Sequence, residues 1–204
     1  MPDTITPSVL PAPRDPDGPY TVSVVCTGNI CRSAMAEVVL IDRLAAAGTP
    51  TSGRGGVVVT SAGVSDEEHG NPIDPRARRL LAERGYGSGS DAAARAVDAA
   101  IVGHAAHRIG DAELAGADLV LAMTSRHLSV LERLADRAGI EHEGAPASAA
   151  DLLSVDAPRI CLYRDLDPEG SGDVPDPWYG GHQDFLDTLE VIERVTPVIV
   201  DLVR

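Results

Sequence analysis

The stretch VVCTGNICRS, Val24 to Ser33, sets two thiols, a glycine, an asparagine, an arginine and a hydroxyl directly behind an apolar run. Thr27, Gly28, Asn29, Ile30 and Cys31 lie between the Cys26 thiol and the Arg32 guanidinium. A chain that leaves a strand and enters a helix over so short a span must bend sharply. Gly28 tolerates positive φ in such a bend, and Asn29 is the next best residue at a left-handed position. Successive amide N–H groups from Thr27 through Cys31 then point inward as a nest. A helix starting at Ser33 adds the unpaired donors of its first turn. Arg32 closes the ring with a two-pronged guanidinium. These parts make a cradle for a tetrahedral oxyanion, phosphate foremost.

Cys26 stands at the strand end, on the floor of that cradle. Surrounding donors and positive charge favour the thiolate form. Ser33 is placed to hydrogen-bond the sulfur and to help it leave. Cys26 therefore reads as a nucleophile on phosphorus. A lone cysteine behind a strand is ordinarily a small buried apolar residue. Gly28, Asn29, Arg32 and Ser33 at this spacing turn the reading toward chemistry. Displacement by sulfur also needs an acid, because the leaving oxygen must gain a proton as the P–O bond breaks. The late segment DVPDPWYGG offers Asp173 and Asp176, with prolines to stiffen the loop. Trp178 and Tyr179 would wall a slot for a flat leaving group such as a phenol. Taken alone, the same loop reads equally well as solvated acidic surface.

The elements that position these groups alternate in type. YTVSVVC, Tyr20 to Cys26, is β-branched and reads as a buried strand, followed by a helix from Ser33 that ends at Gly48. GVVVTSAG, Gly56 to Gly63, is a second strand. DPRARRLLAERG reads as a helix capped by Asp74, with Pro75 at its first position and a stop at Gly85. Leu119 to Met123 is a third strand, after which Ser125 caps another helix. PRICLY supplies a fourth strand. The closing helix contains Pro197, which is expected to kink or break it. Ala93 to Val102 has helical character behind a flexible Gly87–Ser90 link. Strands alternating with helices imply a four-stranded parallel sheet covered on both faces, an α/β architecture. The arginines of RARRLLAERG read as a solvated helix face, and Met35 and Met123 as core fillers.

Composition bounds the possibilities. The chain has 204 residues with 44% hydrophobic and only 3% aromatic, so aliphatic side chains must fill one domain's core. A formal net charge of −14 argues against nucleic acid or an anionic membrane as partner. Met1 to Pro19 is Pro-rich, lacks the pattern of a signal peptide, and reads as a disordered tail. No apolar run reaches membrane-spanning length. Three cysteines make no disulfide scaffold, so a reducing cytoplasm is expected. The histidines at 69, 104, 107, 127, 142 and 182 are scattered without a tight metal-ligand motif, and no cofactor is expected.

VCTGNICRS with a late DVPDPWYGG resembles the low-molecular-weight protein tyrosine phosphatase family. SAG at Ser61 to Gly63, GNPIDPRARRLL, GADLVLAMTSRH and YRDLDP fit it in the same order, so the resemblance covers most of the chain from Tyr20 onward. The resemblance implies a four-stranded parallel sheet with helices on both faces and hydrolysis of phosphotyrosine through a phosphocysteine intermediate. By the same resemblance Cys26 is the nucleophile, Arg32 the phosphate clamp, Ser33 the thiolate partner, and Asp176 the general acid and later the base. Asn29 would sit in a hydrogen-bond network with Ser61 and His104. Trp178 and Tyr179 would line the entrance, and Cys31 would match a neighbouring cysteine able to trap Cys26 as a reversible disulfide. Ala34 stands where the family usually has proline, GHAAHR where it has GHRAR, and 87–100 reads as an insertion in the 20–204 domain.

Two other activities fit parts of the pattern. An arsenate reductase of similar fold would use the same cradle, but needs relay cysteines, and Cys161 lies in an expected strand. A non-catalytic phosphate or phosphopeptide binder would need neither Cys26 nor Asp176. The expected substrate is a phosphotyrosine protein, a phosphorylated tyrosine kinase among them, or a small aryl phosphate.

Overall fold

A computed structural model describes residues 15, 17–142 and 159–204. Most of the N-terminal stretch read as a tail lies outside the described residues. Four strands form one sheet: β1 Tyr20–Cys26, β2 Val57–Gly63, β3 Leu119–Ala122 and β4 Arg159–Leu162. Their order is β2-β1-β3-β4, and every pair is parallel. The strands are where β-branched and aliphatic runs placed them. Side chains alternate across the sheet with period two, which gives each face its own core. Val22, Val24 and Cys26 point to one face with Leu121 and Cys161, and Val25, Ala62, Val120 and Ile160 to the other.

The first face is covered by α1 Arg32–Ala46, α2 Pro75–Glu83, α3 Ala92–Gly103 and α6 His182–Val203. The second is covered by α4 Asp111–Gly116 and α5 Ser125–Ala138. The chain leaves β1 toward β2 on one side and returns to β3 on the other. The loops after β1 and β3 therefore diverge and leave a crevice at the carboxyl ends of the strands. The bend after Cys26 opens into that crevice. No helix among the described residues is long and apolar enough to cross a membrane.

Four local expectations change. The cap of α5 is Thr124, whose hydroxyl accepts from His127 N–H, and not Ser125. α6 runs unbroken through Pro197. Its buried residues on both sides, Val195, Thr196, Ile199 and Val200, hold the helix against the core and outweigh the lost hydrogen bond. α4 is a short helix that periodicity did not disclose. Gly28 is not among the residues with positive φ. A Cβ built on it would lie 2.8 Å from Glu68 Cγ, so glycine here leaves room for the Glu68 side chain and serves no left-handed turn. Asn29 carries the left-handed conformation alone, at φ 61°.

Candidate active site

Parallel pairing brings Cys26 level with Gly63, and the bend folds back over that glycine. A Cβ on Gly63 would stand 2.5 Å from Thr27 O, so only glycine lets the two loops close. The bend ends at α1, whose N-cap Cys31 makes no side-chain cap hydrogen bond. The first-turn donors of α1 are thus left for an anion. Cys26, Ile30, Cys31 and Arg32 are buried, while Thr27 is exposed.

Two groups address the Cys26 sulfur. Asn29 N–H donates to Sγ at 3.3 Å, and Ser33 Oγ lies 3.1 Å away. Ser33 also accepts from Asn29 Nδ2 at 3.0 Å and reaches Ala62 O at 3.3 Å. Its single hydrogen goes either to sulfur or to that carbonyl. A thiolate takes it; a thiol donates its own hydrogen to Ser33 instead, and Ser33 turns to Ala62. The serine thereby serves both protonation states of its neighbour.

Asn29 is held on all sides. Its Nδ2 donates to Ser61 Oγ at 2.8 Å, its Oδ1 accepts from His107 N–H at 3.2 Å, and its carbonyl meets His104 Nε2 at 2.7 Å. Ser61 in turn donates to Glu37 Oε2 at 2.5 Å, and His104 Nδ1 lies 3.8 Å from the same oxygen. Asn29, Ser61 and His104 are therefore one cluster, closed by Glu37, which the sequence did not single out.

Arg32 Nη2 donates to Asp176 Oδ2 at 2.8 Å and lies 3.5 Å from Thr27 Oγ1. Asp176 Oδ1 accepts from Trp178 N–H at 3.2 Å, which orients the carboxyl along its own loop. Asp173, the other candidate acid, is committed elsewhere: it accepts from Ser125 N–H at 2.7 Å at the start of α5. Val174 N–H donates to Met123 O at 2.8 Å, hanging the loop from the end of β3. Cys26, Arg32, Asp176, Trp178 and Tyr179 line one cleft of about 290 Å³, with Glu68 and Arg126 at its rim. Tyr179 is almost wholly exposed at the mouth.

His127 was invisible in the sequence as a site residue. It is buried, its Nε2 sits 2.8 Å from Thr27 Oγ1, and its Nδ1 3.0 Å from Thr124 Oγ1. Burial first, and then the Arg32 charge, push its imidazole down to about 4. A neutral ring here accepts from Thr124 at Nδ1 and donates to Thr27 from Nε2. The signal that would have found it is its place three residues after the threonine cap of α5. Arg76 was read as part of a solvated helix face, and it is exposed, but it is also bonded to its neighbours. It binds Asp74 through both edges of the carboxylate and donates to two carbonyls of the Asp176 loop.

Cys31 and Cys161 are buried free thiols, as is Cys26. Burial pushes the Cys31 thiol well above its usual range, and Asp74 and Cys26 add to it. Cys161 is fully buried in β4, where burial pushes it up to about 12. A relay for arsenate chemistry needs further reachable thiols; Cys31 lines the cleft beside Cys26, but Cys161 is sealed in the core.

Residues 21–142 match the family model described as low molecular weight phosphotyrosine protein phosphatase. A low molecular weight protein-tyrosine-phosphatase of Streptomyces coelicolor is 35% identical over 91% of this chain and 94% of its own length. Low molecular weight protein-tyrosine phosphatase A of Mycobacterium bovis is 33% identical over 91% of this chain and 92% of its own. Among solved structures, YfkJ from Bacillus subtilis superposes with a TM-score of 0.65 at 24% identity, covering 89% of this chain and 92% of that one.

Proposed function

The chain belongs to the low molecular weight phosphotyrosine protein phosphatase family and hydrolyses phosphotyrosine through a catalytic cysteine; on that premise we propose which residues carry each step. Phosphate enters the bend with its ester oxygen facing the cleft mouth. The first-turn donors of α1 and the Arg32 guanidinium hold its non-bridging oxygens, and hold them better as charge spreads in the trigonal-bipyramidal transition state. Cys26 Sγ attacks in line. The P–O bond to the leaving group breaks as the S–P bond forms, and Asp176 gives the departing phenolate its proton. Asp176 then takes a proton from water, which attacks phosphorus and releases phosphate and the Cys26 thiolate. Ser33 supplies its hydrogen to sulfur whenever sulfur carries the charge.

The observation that supports this assignment most strongly is the cleft itself: the Cys26 sulfur, the Arg32 guanidinium and the Asp176 carboxyl line the same small space. Asp176 is the acid in preference to Asp173 because Asp173 is spent on the start of α5. Trp178 and Tyr179 flank the entrance and suit a long flat side chain, which favours phosphotyrosine over phosphoserine. The substrate within that class includes phosphorylated tyrosine kinases, and the three free thiols accord with a reducing cytoplasm. Rates on matched phosphotyrosine and phosphoserine peptides test the proposal, alongside Cys26→Ser. Tyrosine preference and loss of turnover in the variant are expected; full activity of Cys26→Ser removes the chemistry.

A further inference from the structure

Asp176 lies at the tip of a loop, and a loop tip does not hold a carboxyl still. The loop is tied at its start by Asp173 and Val174 to α5 and β3, and Pro175 O accepts from Thr188 Oγ1 at 3.1 Å. On the far side of Asp176, Asp184 Oδ2 accepts from Gly181 N–H at 2.7 Å where the loop enters α6, and Arg76 ties the stretch before it. Arg76 Nη1 donates to Trp178 O at 3.1 Å and to Gly180 O at 3.0 Å. Its guanidinium lies 4.7 Å from the centroid of the buried Phe185 ring and 5.8 Å from that of Trp178.

The other edge of the same guanidinium reaches the cradle. Arg76 Nε donates to Asp74 Oδ1 at 3.1 Å and Nη2 to Asp74 Oδ2 at 2.8 Å. Asp74 is buried, caps α2, and donates its own N–H to Ile30 O in the bend at 2.9 Å. Burial works to raise the Asp74 carboxyl, but hydrogen bonds from Arg76 outweigh it, so the carboxyl stays below its ordinary range. A continuous line of bonds thus runs from Ile30 through Asp74 and Arg76 to Trp178 and Gly180. It joins the bend that holds the cradle to the loop that carries the acid. Only a planar fork can grip a carboxylate along one edge and two carbonyls from the other side; an ammonium has neither the reach nor the geometry.

We propose that Arg76 is a positioning residue for the general acid, a strut that fixes the Asp176 loop at a set distance from the phosphate cradle. This rests on Asp176 being the acid. Arg76 itself touches neither substrate nor sulfur. Its contribution belongs to the step in which a proton reaches the leaving oxygen, so it scales with how badly that oxygen needs one.

The experiment compares kcat/KM for phenyl phosphate, whose leaving group needs protonation, and dinitrophenyl phosphate, whose leaving group departs as the anion. Arg76→Met, Arg76→Lys and Asp176→Asn are measured in parallel with the wild type, with thermal melting to verify folding. Arg76→Met is expected to lose about tenfold or more on phenyl phosphate and to stay within about twofold on dinitrophenyl phosphate. Arg76→Lys should recover only part of that loss. Equal losses of Arg76→Met on both esters, or none on either, overturn the strut. If Asp176→Asn shows the selective loss and Arg76→Met does not, the strut fails and the acid assignment stands. If Asp176→Asn loses equally on both esters, the acid assignment fails and the strut falls with it. Should Arg76→Met not fold, the same comparison on Arg76→Lys decides.

Discussion

Arg32 and Asp176 stand 144 positions apart in the chain and meet through one hydrogen-bonded ion pair of 2.8 Å, with the arginine buried and the aspartate half exposed. On the proposed assignment, the clamp for the substrate anion is engaged, at rest, by the acid that acts on that anion. An arriving phosphate must displace the carboxylate from the guanidinium, and the displaced carboxyl is left beside the ester oxygen.

This sets a competition that inorganic phosphate can report. With one partner half exposed, the pair is worth little in water, about 0.2–1 kcal/mol. Asp176→Ala should therefore bind phosphate about 1.4- to fivefold more tightly while losing most turnover on phosphotyrosine peptides. Product inhibition constants measure the first effect. Unchanged or weaker phosphate inhibition in the variant would show that the carboxylate does not hold the clamp in solution.

Asn29 combines a left-handed backbone with a hydrogen-bonded side chain, and two substitutions separate these. Alanine suffers about 1–2 kcal/mol for the left-handed conformation in addition to the lost bonds, whereas glycine avoids the conformational term. Asn29→Ala should be the less stable of the two in urea, and both should be slow enzymes because Ser33 and Ser61 lose their donor. Equal stability of the two variants is the contrary result.

His127 couples the site to pH. Its folded-state value of about 4 lies below the ordinary 6.5. The unfolded chain therefore binds a proton that the folded protein refuses as pH falls from 6.5 toward 4. The group's stability contribution is whole above 6.5 and lost across that window, on the order of 3 kcal/mol at the low end. His127→Phe should flatten this part of the stability curve, as followed by denaturant midpoints at a series of pH values. A wild-type midpoint that does not move between pH 6.5 and 4 contradicts the buried neutral ring.

Cys31 provides the redox test. If Cys31 protects the site, peroxide should convert the Cys26 thiolate to a sulfenic acid, which the Cys31 thiol then meets to form the S–S bond as water leaves. Burial keeps Cys31 protonated, so closure should quicken as pH rises, and reductant should restore less activity to Cys31→Ser than to the wild type after equal exposure. Equal recovery of the two proteins removes the protective role.

The parts of the site that announced themselves in the sequence are those gathered in one short segment. Cys26 to Ser33 carries its chemistry in its spacing, and the four strands carried theirs in β-branched runs. Arg76, Glu37 and His127 were silent for a shared reason. Each acts through a partner supplied by another element, and an arginine two residues after a capping aspartate looks the same whether it faces solvent or a distant loop. Gly28 misled in a subtler way, because a glycine can leave room for a neighbour's side chain as well as serve its own φ. Pro197 misled because local helix propensity was weighed without the tertiary burial of α6.

α6 packs along α1, the helix whose start forms the floor of the cradle, and it is the final helix of the fold. On the ribosome, β1, β2 and α3 cover part of the apolar side of α1 early, and the part that meets α6 waits bare until α6 is made. The nucleophile is made early, its acid late, and the brace across the back last. A nascent chain therefore holds a thiol and no working catalyst until its closing helix has docked. Translation that stalls ahead of α6 should yield a sticky fragment for chaperones to shield and no prematurely active phosphatase.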